Sequence, residues 1–380
     1  MKKISKTLKK SAFLILFLIL NMGLSFLLEP AKGASEGMWK SYYAQEELDM
    51  IFIGSSLCQG GFDPLVFDEK LGVNSFNMGT PLQAVPQTTR ALETALENHD
   101  IKTVIFGMGF STLKYDSLME AELTFEKARI KQLGGVAALK ESIRYLYSED
   151  IITDEKSINF FFPWLYNRGE LTKEELVQNV SKKLEGVRTA LSGKNTDEDL
   201  KGNVSQEAVE EGSLIESKGY ESYGDVVFNY DNMWELNTSR YYEPELNADM
   251  MDALEEMIQI CKEKGVDLMV INTPHPKFDL ISCYEFYEEN EREVKALCDK
   301  YEVDYYDFNL AKPEIFESRP DYYSDYEHLN WAGSQAFSRE LSDFLIRRAN
   351  GEEMQQHFYT VEEYLTLYAD LLEDWKNYYW

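Results

Sequence analysis

The sequence is poor in the residues that most metal and redox sites need. Among 380 residues it has four cysteines and four histidines. No cysteines show the C-x-x-C spacing and no two histidines share a helical face, which excludes a zinc knuckle or a thioredoxin-type site. No cofactor or metal is therefore predicted. We expect buried free thiols, with a Cys283–Cys298 disulfide as the alternative; the four are Cys58, Cys261, Cys283 and Cys298.

Basic residues are also scarce. Lys and Arg number 38 against 67 Asp and Glu, which gives a net charge of -29. Nucleic-acid binding needs a basic face, and anionic lipid repels an acidic surface. The composition therefore excludes nucleic acid as the main partner and argues against adhesion of the body to anionic lipid. Hydrophobic residues at 44% still provide for a sizeable core.

Long apolar runs are absent except for one, residues 12–28. Five lysines precede it without an acidic residue, the pattern of an export signal. The run lies at the short end of the ~17–25 residues that span a bilayer. We predict a single-pass cell-membrane anchor with the rest of the chain on the extracellular face. The alternative is a secreted protein, cleaved near Ala31-Lys32-Gly33.

Short apolar runs, each closed by Gly, Pro or a polar turn, alternate with helical patterns. Runs of this kind are typical of parallel strands buried on both faces. The alternation predicts an α/β fold with a flavodoxin-like, doubly wound parallel sheet. The predicted strands are 50–53, 75–78, 103–106, 268–271 and 303–306.

The alternation is interrupted once, which suggests one sheet domain split by an insertion. Within that insertion, the polar stretch from Ser192 to Ser222 is predicted to be a long surface loop. The predicted division is 1–29 membrane segment, 30–112 and 246–350 the two parts of the sheet domain, 113–245 a helical and loop insertion, and 351–380 an acidic amphipathic C-terminal helix.

Ser56 follows the first predicted strand, after Gly54-Ser55. Loops at the carboxyl ends of the strands are where a doubly wound sheet binds ligands. A serine there, with its N–H at the start of the next helix, suits a nucleophile beside an oxyanion donor. The alternative is that Ser56 is only a helix N-cap.

Asp325 and His328 are three residues apart, just before a helix predicted from Trp331. At that spacing the aspartate can accept the Nδ1–H of the histidine while Nε2 faces a serine. The alternative is a surface aspartate capping the helix, with the histidine packed under it.

Together, G-S-S after the first strand and D-x-x-H near the C-terminus resemble the SGNH/GDSL hydrolase superfamily. Residue by residue, the resemblance implies that Ser56 is the nucleophile, Asp325 the orienting acid and His328 the base. It also implies that the N–H of Gly79 joins that of Ser56 in the oxyanion hole.

The sequence departs from that family in its third block. The usual G-x-N-D reads Gly107-Met108-Gly109-Phe110 here, so Gly109 replaces an asparagine donor. A lost oxyanion donor costs ~2.7–4 kcal/mol when nothing replaces it. Asn77, Gln83 or the backbone N–H of Gly109 could substitute, and we select Gln83.

The resemblance covers 48–112 and 266–345, and Gly61-Phe62-Asp63-Pro64 resembles the exported DltD-like and alginate O-acetylation-like branch. That branch implies transfer or removal of an acetyl or D-alanyl group on an envelope glycan or teichoic-acid polymer. It also implies a membrane-bound O-acyltransferase as a candidate partner. The alternatives are a catalytically silent SGNH-fold scaffold of an envelope assembly and a plain secreted carbohydrate esterase.

Three further polar residues are predicted to contact substrate: Asn77, His275 and Asn330. His275 lies between two prolines after the fourth strand, so it faces the same sheet edge as Ser56. Its alternative is a rigid-turn residue without a role.

Overall fold

The computed structural model describes residues 6–29, 33–148, 155–166, 172–192, 215–234 and 244–379. The chain divides into two compact units. The helical unit comprises Met1–Glu36 and Met119–Val204, and the sheet unit comprises Gly37–Leu118 and Ser205–Trp380. This division differs from the predicted insertion over 113–245. Residues 215–234 belong with the sheet, and the N-terminal helix belongs with the inserted helices.

The sheet unit contains five parallel strands in the order β2-β1-β3-β4-β5. This confirms the predicted α/β class with a parallel sheet, and the order is that of flavodoxin-like doubly wound sheets. The central strands are buried, as their apolar sequences require. The strands are β1 (Met50–Gly54), β2 (Ser75–Asn77), β3 (Thr103–Met108), β4 (Asp267–Asn272) and β5 (Asp304–Asp307).

Helices connect and flank these strands. The described helices are α1 (Lys6–Leu28), α2 (Ala34–Tyr42), α3 (Ser56–Gly61), α4 (Pro64–Leu71), α5 (Val85–Asn98), α6 (Phe110–Lys114), α7 (Met119–Leu133), α8 (Gly135–Ser148), α9 (Glu155–Phe161), α10 (Lys173–Ser192), α11 (Ala248–Lys264), α12 (Lys277–Ser282), α13 (Tyr284–Lys300), α14 (Trp331–Ala349), α15 (Val361–Leu367) and α16 (Ala369–Tyr379). Of these, α1 and α7 to α10 belong to the helical unit.

Aromatic packing fixes the start of the sheet unit. The ring of Phe52 in β1 lies 5.1 Å from that of Phe62 and 4.5 Å from that of Phe67. All three side chains are fully buried, and truncation of such a ring to alanine costs about 3–5 kcal/mol. Because α3 lies between Phe52 and Phe62 in the chain, this packing holds Ser56 at the carboxyl end of β1.

The helical unit has a smaller core of its own, formed by Leu123, Ile130, Tyr145, Leu146 and Phe160. Beside it, buried Arg129 in α7 lies 2.9 Å from Glu126 and 2.7 Å from Glu141 in α8. The two carboxylates satisfy a charge that would otherwise be costly to bury. This pairing fastens α8 to α7.

One helix among the described residues is long and apolar enough to be a signal anchor or a membrane span, Leu8–Leu28 within α1. None of its apolar window is buried against protein. The alternative cleavage site at Ala31-Lys32 lies outside the described residues, as does 193–214 of the predicted polar loop.

The C-terminal tail forms two helices rather than the single one predicted. The chain leaves helical geometry at Tyr368, between α15 and α16. Tyr364 in α15 and Trp375 in α16 are buried, whereas Leu367, the last residue of α15, is 54% exposed.

The four cysteines are buried and free, as expected, and the Cys283–Cys298 disulfide is not formed. Burial raises the pKa of Cys58 and Cys283 well above the ordinary range, and that of Cys261 and Cys298 to about 12. Such thiols are protonated and unreactive at neutral pH.

Candidate active site

The site forms where two distant stretches of the sheet unit meet. Ser56 is the first residue of α3, directly after β1. Asp325 and His328 lie in the loop that precedes α14. The end of β1 and the loop before α14 thus place Ser56, Asp325 and His328 at the carboxyl edge of the sheet, where ligands bind in folds of this kind.

The structure brings the three predicted residues into hydrogen-bonding distance. The Nε2 atom of His328 lies 2.9 Å from the Oγ of Ser56, and its Nδ1 lies 2.8 Å from the Oδ2 of Asp325. Because an ionised aspartate only accepts, Nδ1 carries the proton and Nε2 is free to take one from Ser56. The arrangement has the connectivity of a Ser-His-Asp triad.

The loop itself holds the aspartate in place. The Oδ1 of Asp325 accepts hydrogen bonds from the backbone N–H groups of Glu327 and His328, each at 2.8 Å. Burial tends to raise the pKa of Asp325, but the hydrogen bonds and the His328 imidazole outweigh it and lower that pKa. Asp325 is therefore a fixed anion that can stabilise an imidazolium.

Asn330 supports this loop from below. Its Oδ1 accepts from Gly333 N at 2.9 Å, which caps α14, and its Nδ2 donates to the carbonyls of Asp321 and Val226. The side chain is only 2% exposed. The structure therefore places Asn330 in the framework of the site, whereas the sequence predicted a contact with substrate.

Tyr223 is a site residue that sequence reasoning missed. Its ring lies 4.4 Å from the imidazole of His328, tilted by 32°, and its phenol interacts with the side chain of Ser56. Burial raises the pKa of Tyr223 and outweighs the interaction with Ser56, which lowers it, so the phenol stays protonated and can donate. Tyr223 is thus a polar side chain beside the triad, in addition to its three members.

In the sequence, Gly60 is the residue that indicates the close approach of Tyr223. A Cβ atom at Gly60 would lie 2.3 Å from the Tyr223 ring, so only glycine admits the tyrosine at that point of α3. The paired glycines after the candidate serine thus mark a close approach. Tyr223 lies just beyond the stretch that was predicted to be a surface loop, and that polar stretch offered no periodicity to locate it.

The predicted oxyanion donors are arranged differently from the expectation. The N–H of Gly79 donates to the Oδ1 of Asn77 at 2.9 Å. Fully buried Asn77 also donates through Nδ2 to the carbonyls of Cys58 and Phe62, each at 2.8 Å. Asn77 therefore fastens α3 to β2, and it engages the N–H that the resemblance assigned to the oxyanion.

The side-chain amide of Gln83 also hydrogen-bonds residues outside the triad. Its Oε1 accepts from Thr80 at 2.8 Å and its Nε2 donates to Thr88 at 3.2 Å. The side chain is 3% exposed. Within the described residues the structure does not bring Gln83 to Ser56.

His275 occupies the space beside Gly109. A Cβ atom at Gly109 would lie 2.8 Å from Leu57 Cδ1 and 3.1 Å from the imidazole Cε1 of His275, so these two side chains leave little room for a third-block side chain. The Nδ1 of His275 hydrogen-bonds the carbonyl of Thr273 at 2.8 Å, and its backbone N–H donates to Asn309 at 2.7 Å. His275 is thus rigidly placed at this edge of the sheet, and its contact with substrate stays a prediction.

Comparisons with known proteins leave the family open. No family model matches the sequence, and no curated protein matches it. Among solved structures, one from Streptococcus pneumonia, provisionally named a platelet activating factor, is similar with a TM-score of 0.33 and 11% identity, over 90% of this chain and 100% of that one. A likeness at that level carries no argument about function.

Proposed function

We propose that this chain is an SGNH-type serine acyl hydrolase or O-acyltransferase, held at the outer face of a cell membrane by α1. The observation that carries the proposal is the hydrogen-bonded series from Ser56 through His328 to Asp325, at 2.9 and 2.8 Å. A serine, an imidazole in the correct tautomer and a fixed carboxylate make up the apparatus of nucleophilic acyl transfer.

In the first half-reaction, the Ser56 hydroxyl passes its proton to Nε2 of His328 as Oγ attacks the acyl carbonyl. Asp325 stabilises the imidazolium. The tetrahedral intermediate then collapses, His328 returns the proton to the leaving alcohol, and the acyl group is left on Ser56.

In the second half-reaction, His328 removes a proton from water or from a sugar hydroxyl, which attacks the acyl-serine. The tetrahedral intermediate then collapses with cleavage of the bond to Ser56 Oγ, and His328 returns the proton to that oxygen. Water gives an esterase and a sugar hydroxyl gives an O-acyltransferase. The resemblance to the DltD-like and alginate O-acetylation-like branch favours an acetyl or D-alanyl ester of an envelope glycan or teichoic acid. It also favours a membrane-bound O-acyltransferase as partner.

Replacing Ser56 tests the proposal. We expect Ser56→Ala to lower turnover of p-nitrophenyl acetate by roughly 10⁴–10⁶-fold, as loss of a triad nucleophile does. It should also abolish covalent labelling by a fluorophosphonate. Ser55→Ala is the matched control, because the Ser55 side chain makes no capping hydrogen bond. Undiminished turnover in Ser56→Ala would show that the mechanism is wrong.

A second candidate is a catalytically silent scaffold with the same fold. It is favoured by the Gly79 N–H, which is engaged with Asn77 at 2.9 Å. A silent protein would neither turn over the ester nor take up the fluorophosphonate. The third alternative, a plain secreted esterase, is distinguished by the mass of the chain isolated from cells, which falls if α1 is cleaved.

A further inference from the structure

We propose that the helical unit carries a second membrane-contacting surface, beside α1, that lies in the bilayer interface and binds lipid. The inference rests on the proposed membrane span of α1 but not on the chemistry of the triad. The lipid surface, as we name it, consists of Val136, Leu139, Ile143 and Tyr147 in α8 with Ile158 and Phe161 in α9.

The α8 part of the lipid surface is a continuous exposed stripe. Its four side chains follow at intervals of three, four and four residues, which places them on one helical face. They are 70%, 60%, 47% and 71% exposed. The other face is already used, since Tyr145 packs in the unit's core. Isolated exposed apolar residues are ordinary, but a row of four marks a contact surface.

The α9 part lies alongside the apolar length of α1. The Nδ2 of Asn21 in α1 donates to the carbonyl of Phe161 at 3.0 Å, and its Oδ1 accepts from Trp164 Nε1 at 2.8 Å. Asn21 precedes Leu28 by seven residues, or about 10 Å along a helix axis. Phe161, 55% exposed, is therefore at a depth that belongs to hydrocarbon if α1 spans.

The end of α1 meets polar groups instead. Asn179 donates to the carbonyl of Glu29 at 2.6 Å, and Lys183 donates to the carbonyl of Phe26 at 2.7 Å. These contacts satisfy carbonyls that a helix C-terminus leaves without partners. Aromatic residues at the level of Asn21 and polar residues at the level of Leu28 reproduce the gradient of a bilayer interface.

Ring contacts through the core of the helical unit join α8 to α9. The ring of Phe161 lies 5.7 Å from that of Phe160, and Phe160 lies 5.7 Å from Tyr145 of α8. Tyr145 lies on the face of α8 opposite the stripe. These contacts therefore hold the two parts of the lipid surface in one packed unit that also contains α1.

Charge favours lipid as the occupant. Without the five lysines that precede the apolar run, the sequence of the helical unit has 14 basic and 17 acidic residues, whereas that of the sheet unit has 19 and 50. The acidic residues that would repel anionic lipid therefore lie mainly in the sheet unit. Exposed Lys140 and Arg144 border the α8 stripe, and Arg144 also approaches Glu141 at 3.7 Å. A basic border beside an apolar face is typical of helices that lie in a membrane interface.

The test uses the full chain in phospholipid vesicles that contain phosphatidylglycerol, at no more than one protein per vesicle. Leu139→Cys and Ile143→Cys are labelled separately with the fluorophore NBD, which the buried native thiols should not take up. Leu65→Cys in α4 is the matched control, since Leu65 is an exposed leucine (48%) of the sheet unit. Unlabelled background is measured with the native chain.

We expect blue-shifted NBD emission at positions 139 and 143, quenched by doxyl-labelled lipid, and water-like emission at position 65. Water-like emission at 139 and 143 would overturn the proposal. So would a blue shift that lipid quenchers leave unchanged, since it would assign the stripe to protein contacts. Because the readout is fluorescence, the result is independent of whether the triad turns over an ester.

Discussion

The helical unit and the sheet unit differ in charge as much as in fold. The first is close to neutral, with 19 basic and 17 acidic residues, while the second has 50 acidic residues against 19 basic ones. The net charge of -29 for the whole chain is therefore almost entirely that of the sheet unit. The difference fits the proposed arrangement, in which the helical unit contacts the membrane and the acidic sheet unit holds the candidate catalytic site. Changes in one unit should therefore leave the function of the other intact.

Among the changes that should affect the sheet unit and not the helical unit, we expect Asp325→Asn to have the largest effect on kcat. The amide cannot stabilise the imidazolium and favours the wrong tautomer of His328, so we expect kcat to fall roughly 10⁴-fold. NBD emission from position 139 should not change. Asp321→Asn, an equal charge change at the exposed partner of Arg319, is the control. Similar losses in both variants would attribute the effect to loop charge instead.

Tyr223→Phe should have an intermediate effect. It keeps the ring against His328 but removes the hydroxyl that interacts with Ser56. If that hydroxyl supplies the donor missing at Gly109, we expect kcat for p-nitrophenyl acetate to fall about 10²-fold with little change in KM.

Tyr220→Phe is the matched control for Tyr223→Phe. Tyr220 lies in the same segment, but its hydroxyl contacts Ser334 at 2.5 Å, away from the triad. An unchanged kcat in Tyr223→Phe would contradict the prediction and show that Tyr223 contributes only through the packing of its ring.

The smallest effect concerns the pH dependence of the sheet unit. Burial, with the nearby Asp307 carboxylate, raises the pKa of Glu291 to about 7. The folded state then binds more protons than the unfolded state between pH 4.5 and 7, so stability falls as pH rises through that window.

Glu291→Gln should flatten this decline, by about 1–2 kcal/mol after allowance for solvent screening. Denaturant unfolding of the full chain at pH 5 and pH 8 measures it. Glu289→Gln, an exposed carboxylate of the same helix, should leave the decline in place. An unaltered slope in Glu291→Gln would contradict the prediction.

Local patterns made part of this molecule predictable. The short apolar runs located the strands because a strand buried on both faces is apolar throughout. The spacing from Asp325 to His328 located two of the three candidate triad residues, because a three-residue separation in a tight loop brings the two side chains together. Ser56 followed from its position at the end of β1.

The rest depends on contacts between residues far apart in the chain. Tyr223 follows a polar segment without periodicity, so no pattern around Tyr223 itself places it beside Ser56; Gly60 marks only a close approach by an unspecified residue. The capture of the Gly79 N–H by Asn77 depends on one side-chain orientation, which a glycine motif does not encode. Gln83 was selected for its position in the loop, but its amide is used by Thr80 and Thr88.

The separation of 272 residues between Ser56 and His328 has a consequence for biogenesis. At 5–20 residues per second, synthesis reaches the histidine on the order of tens of seconds after the serine. Throughout that interval the nascent chain carries the Ser56 hydroxyl without the imidazole that contacts it. Because β4 and β5 are also made late, the complete five-stranded sheet cannot form earlier. The candidate triad can therefore assemble only after almost all of the chain has been made.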